Sequence, residues 1–290
     1  MQEDTLSRIL CDELNIRAYT VHTITAVGEI TALHETDPVS SLILGRAVNA
    51  AALLSSSLKP GSHQNLSVKF TGSGIIKEIN VQADAEGNLR AYISHNISVA
   101  DSPDHEPSSL IENGFLTVTK DIGLKEPYHH VSPLRYGDIA RDIVYYLTSS
   151  EQVPSAMILG VSADDTKGIT ASSGILIQTF PETPQESTAI IEKNIDRLDM
   201  PLSDYLKTGK DVCSYLSEIL GGAPFTIIDT TPLRFACRCS HDLTRSIIMS
   251  IPSEDLIAMA NEDKGAEVVC TFCRKAYTFG ENELRELIRQ

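Results

Sequence analysis

Four cysteines carry the clearest chemistry in this chain: Cys237-Arg238-Cys239 and, after a gap of thirty residues, Cys270-Thr271-Phe272-Cys273. Two tight cysteine pairs separated by a long gap have the spacing of a four-thiolate zinc site. Each pair forms one knuckle, and the intervening chain brings the knuckles together. The first pair is CxC where CxxC is usual, a tightness that limits how it binds metal and strains any disulfide closed inside it. A site built only of thiolates is also one that oxidants dismantle. The spacing alone leaves open whether such a zinc is a permanent staple or a switch.

The other two cysteines, Cys11 and Cys213, have no close partner in sequence and read as buried apolar residues rather than sensors. A secreted protein would more often pair all its cysteines. The chain begins Met1-Gln2-Glu3-Asp4, with acid where a signal peptide carries base. No apolar run approaches the ~20 residues of a membrane span; the longest, such as Ala156–Val161, are strand-sized. The expectation is a soluble, cytoplasmic protein with no membrane partner.

Charge excludes nucleic acid as the main partner. The 290 residues carry a formal net charge of −15, whereas phosphate binding needs a concentrated basic face. Near the cysteines, Arg234, Arg238, Arg245, Arg274 and Lys275 are offset by Asp242, Glu254, Asp255, Glu262, Asp263 and Glu267. Tryptophan is absent and aromatics make up only 6%, which removes the stacking platforms of single-strand binders and argues against a nucleic-acid zinc ribbon.

The elements that must position the cysteines read as an α+β chain: a large mixed α/β N-terminal core over 1–181, a helical linker over 182–234, and a small four-cysteine zinc domain over 235–290. In the core, Asn15–Glu29 alternates as a strand. Asp37-Pro38 opens a helix of small and apolar residues over Val39–Leu58, with Asp37 as N-cap and Gly45, Ala47, Ala50, Ala51 and Ala52 allowing close packing. Strands follow at Leu66–Thr71, Ile75–Ala83, Leu89–Ser94 and Gly114–Thr119. A helix spans Tyr136–Ser150, and Ala156–Ala163 with Ser173–Phe180 form a hairpin around Asp164-Asp165-Thr166-Lys167-Gly168.

After Pro181 the texture changes. Helices are expected over Gln185–Leu198, Ser203–Lys207 and Asp211–Leu220, with modest apolar faces and no core of their own, so the segment should dock on a neighbour with marginal stability. The cysteine region holds two short helices, His241–Ile251 and Ser253–Asn261, a hairpin of Val268–Cys270 with Ala276–Phe279, and a terminal helix Glu281–Gln290. Roughly fifty residues bury little apolar surface, so metal should supply most of the folding energy.

Other motifs carry less. Ser56-Ser57-Leu58-Lys59 and Lys207-Thr208-Gly209 mimic two penicillin-binding motifs, but the middle one is missing and Ser56 ends a helix where a nucleophile should begin one. Gly72-Ser73-Gly74 lacks the third glycine of a dinucleotide loop and reads as a turn. Asp164-Asp165 reads as a solvated hairpin tip and His129-His130 as a loop pair. His241 flanks the cysteines as a cap rather than a ligand. A thioredoxin-like site would place its CxxC at a strand-to-helix turn, which a hairpin does not supply. The chain is not read as an enzyme.

The sequence resembles the heat shock protein 33 family. The carrying residues are the cysteine pattern with its long gap, the run Gly265-Ala266-Glu267-Val268-Val269-Cys270, Leu44-Gly45-Arg46-Ala47, and the stretch from Gly114-Phe115-Leu116-Thr117 to Glu126-Pro127-Tyr128. Tyr145-Tyr146-Leu147 and Ser150-Glu151-Gln152-Val153-Pro154-Ser155-Ala156 add to them, so the resemblance covers essentially the whole chain. It departs at Arg135-Tyr136-Gly137-Asp138-Ile139, where the family often has a Ser-Gly-Glu-Ile-type run. A second departure is Ala171-Ser172-Ser173-Gly174, in place of a Gly-Gly-containing stretch; both bear on dimer contacts or on the surface the linker covers.

The resemblance implies a redox-regulated chaperone that holds unfolding client proteins without ATP under oxidative and heat stress. In the reduced, largely inactive monomer one Zn²⁺ would be held by Cys237, Cys239, Cys270 and Cys273. Oxidation would form Cys237–Cys239 and Cys270–Cys273 disulfides, release zinc, unfold the zinc domain and linker, expose apolar surface and favour a homodimer. Zinc is redox-inert and keeps the thiols deprotonated, and thiolates are the form that peroxide attacks.

Overall fold

The computed structural model describes residues 3–95, 111–164 and 166–288, with only the backbone of His95. Asp165 of the expected hairpin tip and Arg289 and Gln290 of the expected terminal helix lie outside them. The chain divides into two compact units, Met1–Ala236 and Cys237–Gln290.

The first unit opens with β1 (Thr5–Cys11) and β2 (Ile16–His22), followed by α1 (Ile24–Leu33) and α2 (Pro38–Leu54). The expected single strand Asn15–Glu29 thus breaks at Thr23 into a strand and a helix. Helix α1 takes no cap from Thr23. Its first N–H groups, of Thr25 and Ala26, donate to the Asp4 carboxylate at 3.1 and 2.6 Å, satisfying orphan donors at the positive end of the helix. Helix α2 starts as the sequence predicts, with Asp37 Oδ1 accepting from Val39 N and Ser40 N at 3.0 Å each. It ends at Leu54, and Ser55–Ser57 continue as a single 3₁₀ turn.

Strands β3 (Asn65–Gly72), β4 (Ile76–Asp84), β5 (Asn88–His95), β6 (Gly114–Asp121) and β7 (Tyr128–Pro133) come next. They lead to α3 (Ile139–Ser149) and the hairpin β8 (Ser155–Asp164) and β9 (Gly168–Thr179). The linker residues form α4 (Gln185–Ile195), α5 (Leu202–Lys207) and α6 (Val212–Ile219), then two strands the sequence did not reveal, β10 (Thr226–Pro232) and β11 (Arg234–Phe235). Two sheets result, a five-stranded one in the order β10-β1-β2-β9-β8 and a six-stranded one in the order β11-β5-β4-β3-β6-β7.

Helix α2 packs against strands of both sheets and against α1 and α3. Its small residues make that possible: a Cβ on Gly45 would lie 2.9 Å from Val161 and 3.0 Å from Val27. The Pro38–Ser57 stretch corrects one expectation, since at 20 residues and a mean hydropathy of 1.3 it is long and apolar enough to cross a membrane. It is 78% buried inside the protein, as a core helix. One polar network runs through this core: Thr23 bonds Asn49 and Ser172, and Asn49 Nδ2 donates to Ser172 Oγ and to the Ser173 carbonyl, each at 3.1 Å. Ser172 and Ser173, part of a departure from the family pattern, are both fully buried; Ser172 joins this network, and Ser173 lies opposite Gly160 of β8.

A second apolar cluster lies on the opposite face of the five-stranded sheet. Ile9, Ile16, Ile175 and Ile177 of the sheet meet Ile191, Leu202, Tyr205, Leu216 and Ile219 of α4, α5 and α6. The linker segment docks here as its apolar faces predict, and Tyr205 and Tyr215 pack edge to face at 4.9 Å. Close approach requires Gly160: a Cβ there would stand 2.7 Å from the backbone nitrogen of Ser203. Cys11 is fully buried in this cluster. Cys213 is half-buried against it, and burial pushes its thiol pKa up.

The second unit contains α7 (His241–Ile248), α8 (Ser253–Ala258), a π-helical turn Met259–Asp263, the hairpin β12 (Gly265–Val269) and β13 (Ala276–Gly280), and α9 (Glu281–Leu287). Its core is small: Ile248, Leu256, Ala260, Tyr277, Phe279, Leu284 and Leu287.

Candidate metal centre

The two knuckles are built by different local devices. Cys237 and Cys239 lie in the segment that ends at α7, where Ser240 Oγ accepts from Leu243 N at 3.1 Å and fixes the helix start. Cys270 and Cys273 occupy the tip of the β12–β13 hairpin. There Cys270 N donates to the Lys275 carbonyl at 2.9 Å and Arg274 N to the Cys270 carbonyl at 2.8 Å. Arg274 adopts φ 60°, the left-handed conformation that closes the turn.

These devices bring all four sulfurs within 4.8 Å of one another. Cys237 and Cys270 approach to 3.7 Å, Cys239 and Cys273 to 3.3 Å. Four sulfurs each ~2.3 Å from a shared zinc stand about 3.8 Å apart in a tetrahedron, so the donor set and its spacing fit a metal ion of that kind. Electrostatics points the same way. Burial, and then hydrogen bonds with the other three cysteines, push the Cys273 thiol up to about 12 against the lowering effect of the Lys275 backbone. A dication among the sulfurs would reverse that logic for Cys273.

The surrounding residues orient the sulfurs. Tyr277, buried on β13, donates its hydroxyl to Cys239 Sγ at 3.1 Å. That bond first, then burial, raises the Tyr277 hydroxyl to about 12, so it stays a donor at any physiological pH. Lys275 Nζ lies 5.1 Å from the Tyr277 ring centre. His241 stacks on Phe279 at 4.5 Å and faces Glu283 Oε1 with Nε2 at 3.7 Å; it flanks the cysteines and does not point a nitrogen among them.

The remaining candidates disperse. His129 and His130 are strand residues of β7, not a loop pair. His129 Nδ1 meets Thr119 Oγ1 at 3.0 Å and His130 Nε2 meets Ser150 Oγ at 2.8 Å. Asp164 spends one carboxylate oxygen on Thr166 and Lys167 of its own turn, bonds that hold its pKa below the usual carboxylate range. Ser56 lies in the 3₁₀ turn after α2. Tyr277 is the residue that sequence reasoning missed; its part in the site depends on hairpin register, which places Tyr277 opposite Val268.

Comparison with known proteins agrees with this architecture. A family model described as Hsp33 protein matches residues 4–280. A 33 kDa chaperonin of Syntrophotalea carbinolica is 35% identical over 289 residues, covering 99% of either chain. Another, from Staphylococcus carnosus, is 35% identical and covers 100% of this chain and 99% of its own. Among solved structures, the crystal structure of the 33 kDa chaperonin (heat shock protein 33 homolog) of Thermotoga maritima matches with a TM-score of 0.87 at 27% identity, covering 100% of this chain and 98% of that one.

Proposed function

Because the chain belongs to the Hsp33 family, we propose that it is a redox-regulated, ATP-independent chaperone of the cytoplasm that holds unfolding proteins during oxidative and heat stress. It acts by binding and not as an enzyme. The observation that carries this reading is the placement of four sulfurs within 4.8 Å in a unit whose own core, among the described residues, is seven buried hydrophobic side chains.

Cys237, Cys239, Cys270 and Cys273 are the ligands in the reduced state. Zn²⁺ there would keep all four as thiolates without itself accepting electrons, and would supply folding energy of ~10–16 kcal/mol by analogy with small zinc peptides. On oxidation, one thiolate of a pair attacks a peroxide: an S–O bond forms, the O–O bond breaks and hydroxide leaves. The second thiolate attacks that sulfenic sulfur, the S–S bond forms and a second hydroxide leaves. Each pair thus consumes one peroxide, giving Cys237–Cys239 and Cys270–Cys273. Sulfurs in disulfides are no longer thiolate donors. Sulfurs of the two knuckles approach to 3.7 and 3.3 Å, yet bonds made within knuckles leave no covalent tie across them. That pairing suits a unit meant to come apart, whereas cross-knuckle bonds would staple it.

The functional division is 1–181, 182–234 and 235–290, a division of stability rather than of packing. Residues 182–234 pack with the core, but their helices reach it through one apolar face. With the redox unit unfolded, heat releases this segment, uncovers Ile9, Ile16, Ile175 and Ile177, and makes surface available to clients and to a second copy. Disulfide mapping of the peroxide-treated protein, with released metal counted by a chromophoric chelator, tests the scheme. It expects the two local pairs and about one zinc per chain; cross-knuckle pairs with retained metal contradict it.

A further inference from the structure

A cavity of about 450 Å³ opens between α3 and the start of β8, both within the first unit. Its apolar wall combines Ala140 and Val144 of α3 with Ala156, Met157 and Ile158 of β8, and Ile195 of α4 closes one end. Three consecutive residues of a strand line it. Successive side chains point to opposite faces, so the cavity meets the strand along its edge and not over one face. Strand β8 is the terminal strand of its sheet, and a terminal strand presents unpaired backbone groups that template another strand.

The rim is basic. Arg141 lies 4.2 Å from the Tyr136 ring centre and Arg135 4.5 Å from that of Tyr145. Both arginines are exposed, and among the described residues neither has a carboxylate within salt-bridge distance. In a chain of net charge −15, two cations resting on aromatic rings beside an apolar groove form a local exception.

We propose that this groove takes an extended, apolar segment of an unfolded protein carrying acidic residues at its flank. The segment adds to the edge of β8 by main-chain hydrogen bonds, lays alternate side chains against Val144 and Ile158, and sets its acids against Arg135 and Arg141. The proposal rests on the chaperone reading above and names where and what that chaperone binds. Ile195 belongs to the linker segment, so linker release widens the groove and links its access to activation.

The test uses the full-length oxidised protein. A photo-crosslinking peptide of alternating valine and threonine with glutamates at both ends is compared with its lysine-ended counterpart, alongside suppression of heat-induced aggregation of a client. The glutamate peptide should label fragments containing Ala140–Thr148 or Ser155–Ile158. The double variant Arg135→Glu/Arg141→Glu should weaken it about tenfold and reverse the preference between the two peptides. Labelling elsewhere with unchanged affinity in the variant overturns the groove while aggregation suppression leaves the chaperone reading intact. Labelling in the groove without suppression in either redox state keeps the groove and removes the chaperone reading. If the variant instead loses self-association and the peptide labels elsewhere, the groove is an interface between copies and the proposal falls.

Discussion

The hydroxyl of Tyr277 donates to the sulfur of Cys239 across 3.1 Å. This bond ties the first knuckle to the β12–β13 hairpin that carries the second, and it favours the anionic sulfur that a metal needs. Replacing Tyr277 by Phe keeps the ring and removes the donor. The variant should hold metal about tenfold less tightly in competition with a chelator, and its Cys239 should react faster with peroxide. Unchanged affinity would restrict Tyr277 to packing.

His22 gives a pH prediction. Burial lowers its pKa from 6.5, against a weaker raising effect of Asp4, and its Nδ1 lies 3.3 Å from Ser173 Oγ. The unfolded chain therefore binds a proton at a higher pH than the folded one does. Stability from this residue is full above 6.5 and is lost as pH falls below it. His22→Gln should flatten that part of the profile, read as melting temperature between about pH 7.5 and 5.5. An identical slope in the variant assigns the acid sensitivity to other groups.

Gly160 sets how tightly the linker is held. A Cβ at this position would meet Ser203 N at 2.7 Å and Leu202 side-chain carbons at 2.8 and 2.9 Å. Gly160→Ala should push α5 from the sheet at a cost of about 1–3 kcal/mol. Hydrogen exchange should then show faster opening of α4–α6 with β3–β6 unchanged, and oxidised variant should suppress aggregation at a lower temperature than wild type. Equal protection of α4–α6 in both proteins would show that α5 docking does not gate the linker.

Local signals were legible in the sequence and remote ones were not. Helix α2 could be read because its cap, Asp37, lies beside it. Helix α1 could not, because its capping carboxylate, Asp4, lies 21 and 22 positions before the N–H groups it accepts from. The Thr23 hydroxyl, a local cap by type, is spent on Asn49 and Ser172. Strand β10 exposes nearly every residue and is defined by its pairing with β1, so no burial pattern marked it. The cysteines were legible because their spacing is covalent. Tyr277 was not, since its hydrogen bond depends on the fold of the hairpin.

The central claim is that oxidation of the four-cysteine unit turns on client holding. Light scattering of a heat-denatured client tests it most directly, with the chain added either reduced and zinc-loaded or peroxide-treated, without nucleotide. The account predicts strong suppression by the oxidised protein, weak suppression by the reduced one, and return to the weak level when thiols and zinc are restored. Equal suppression in both states would contradict it, leaving Cys237, Cys239, Cys270 and Cys273 as a structural metal site on a constitutive binder.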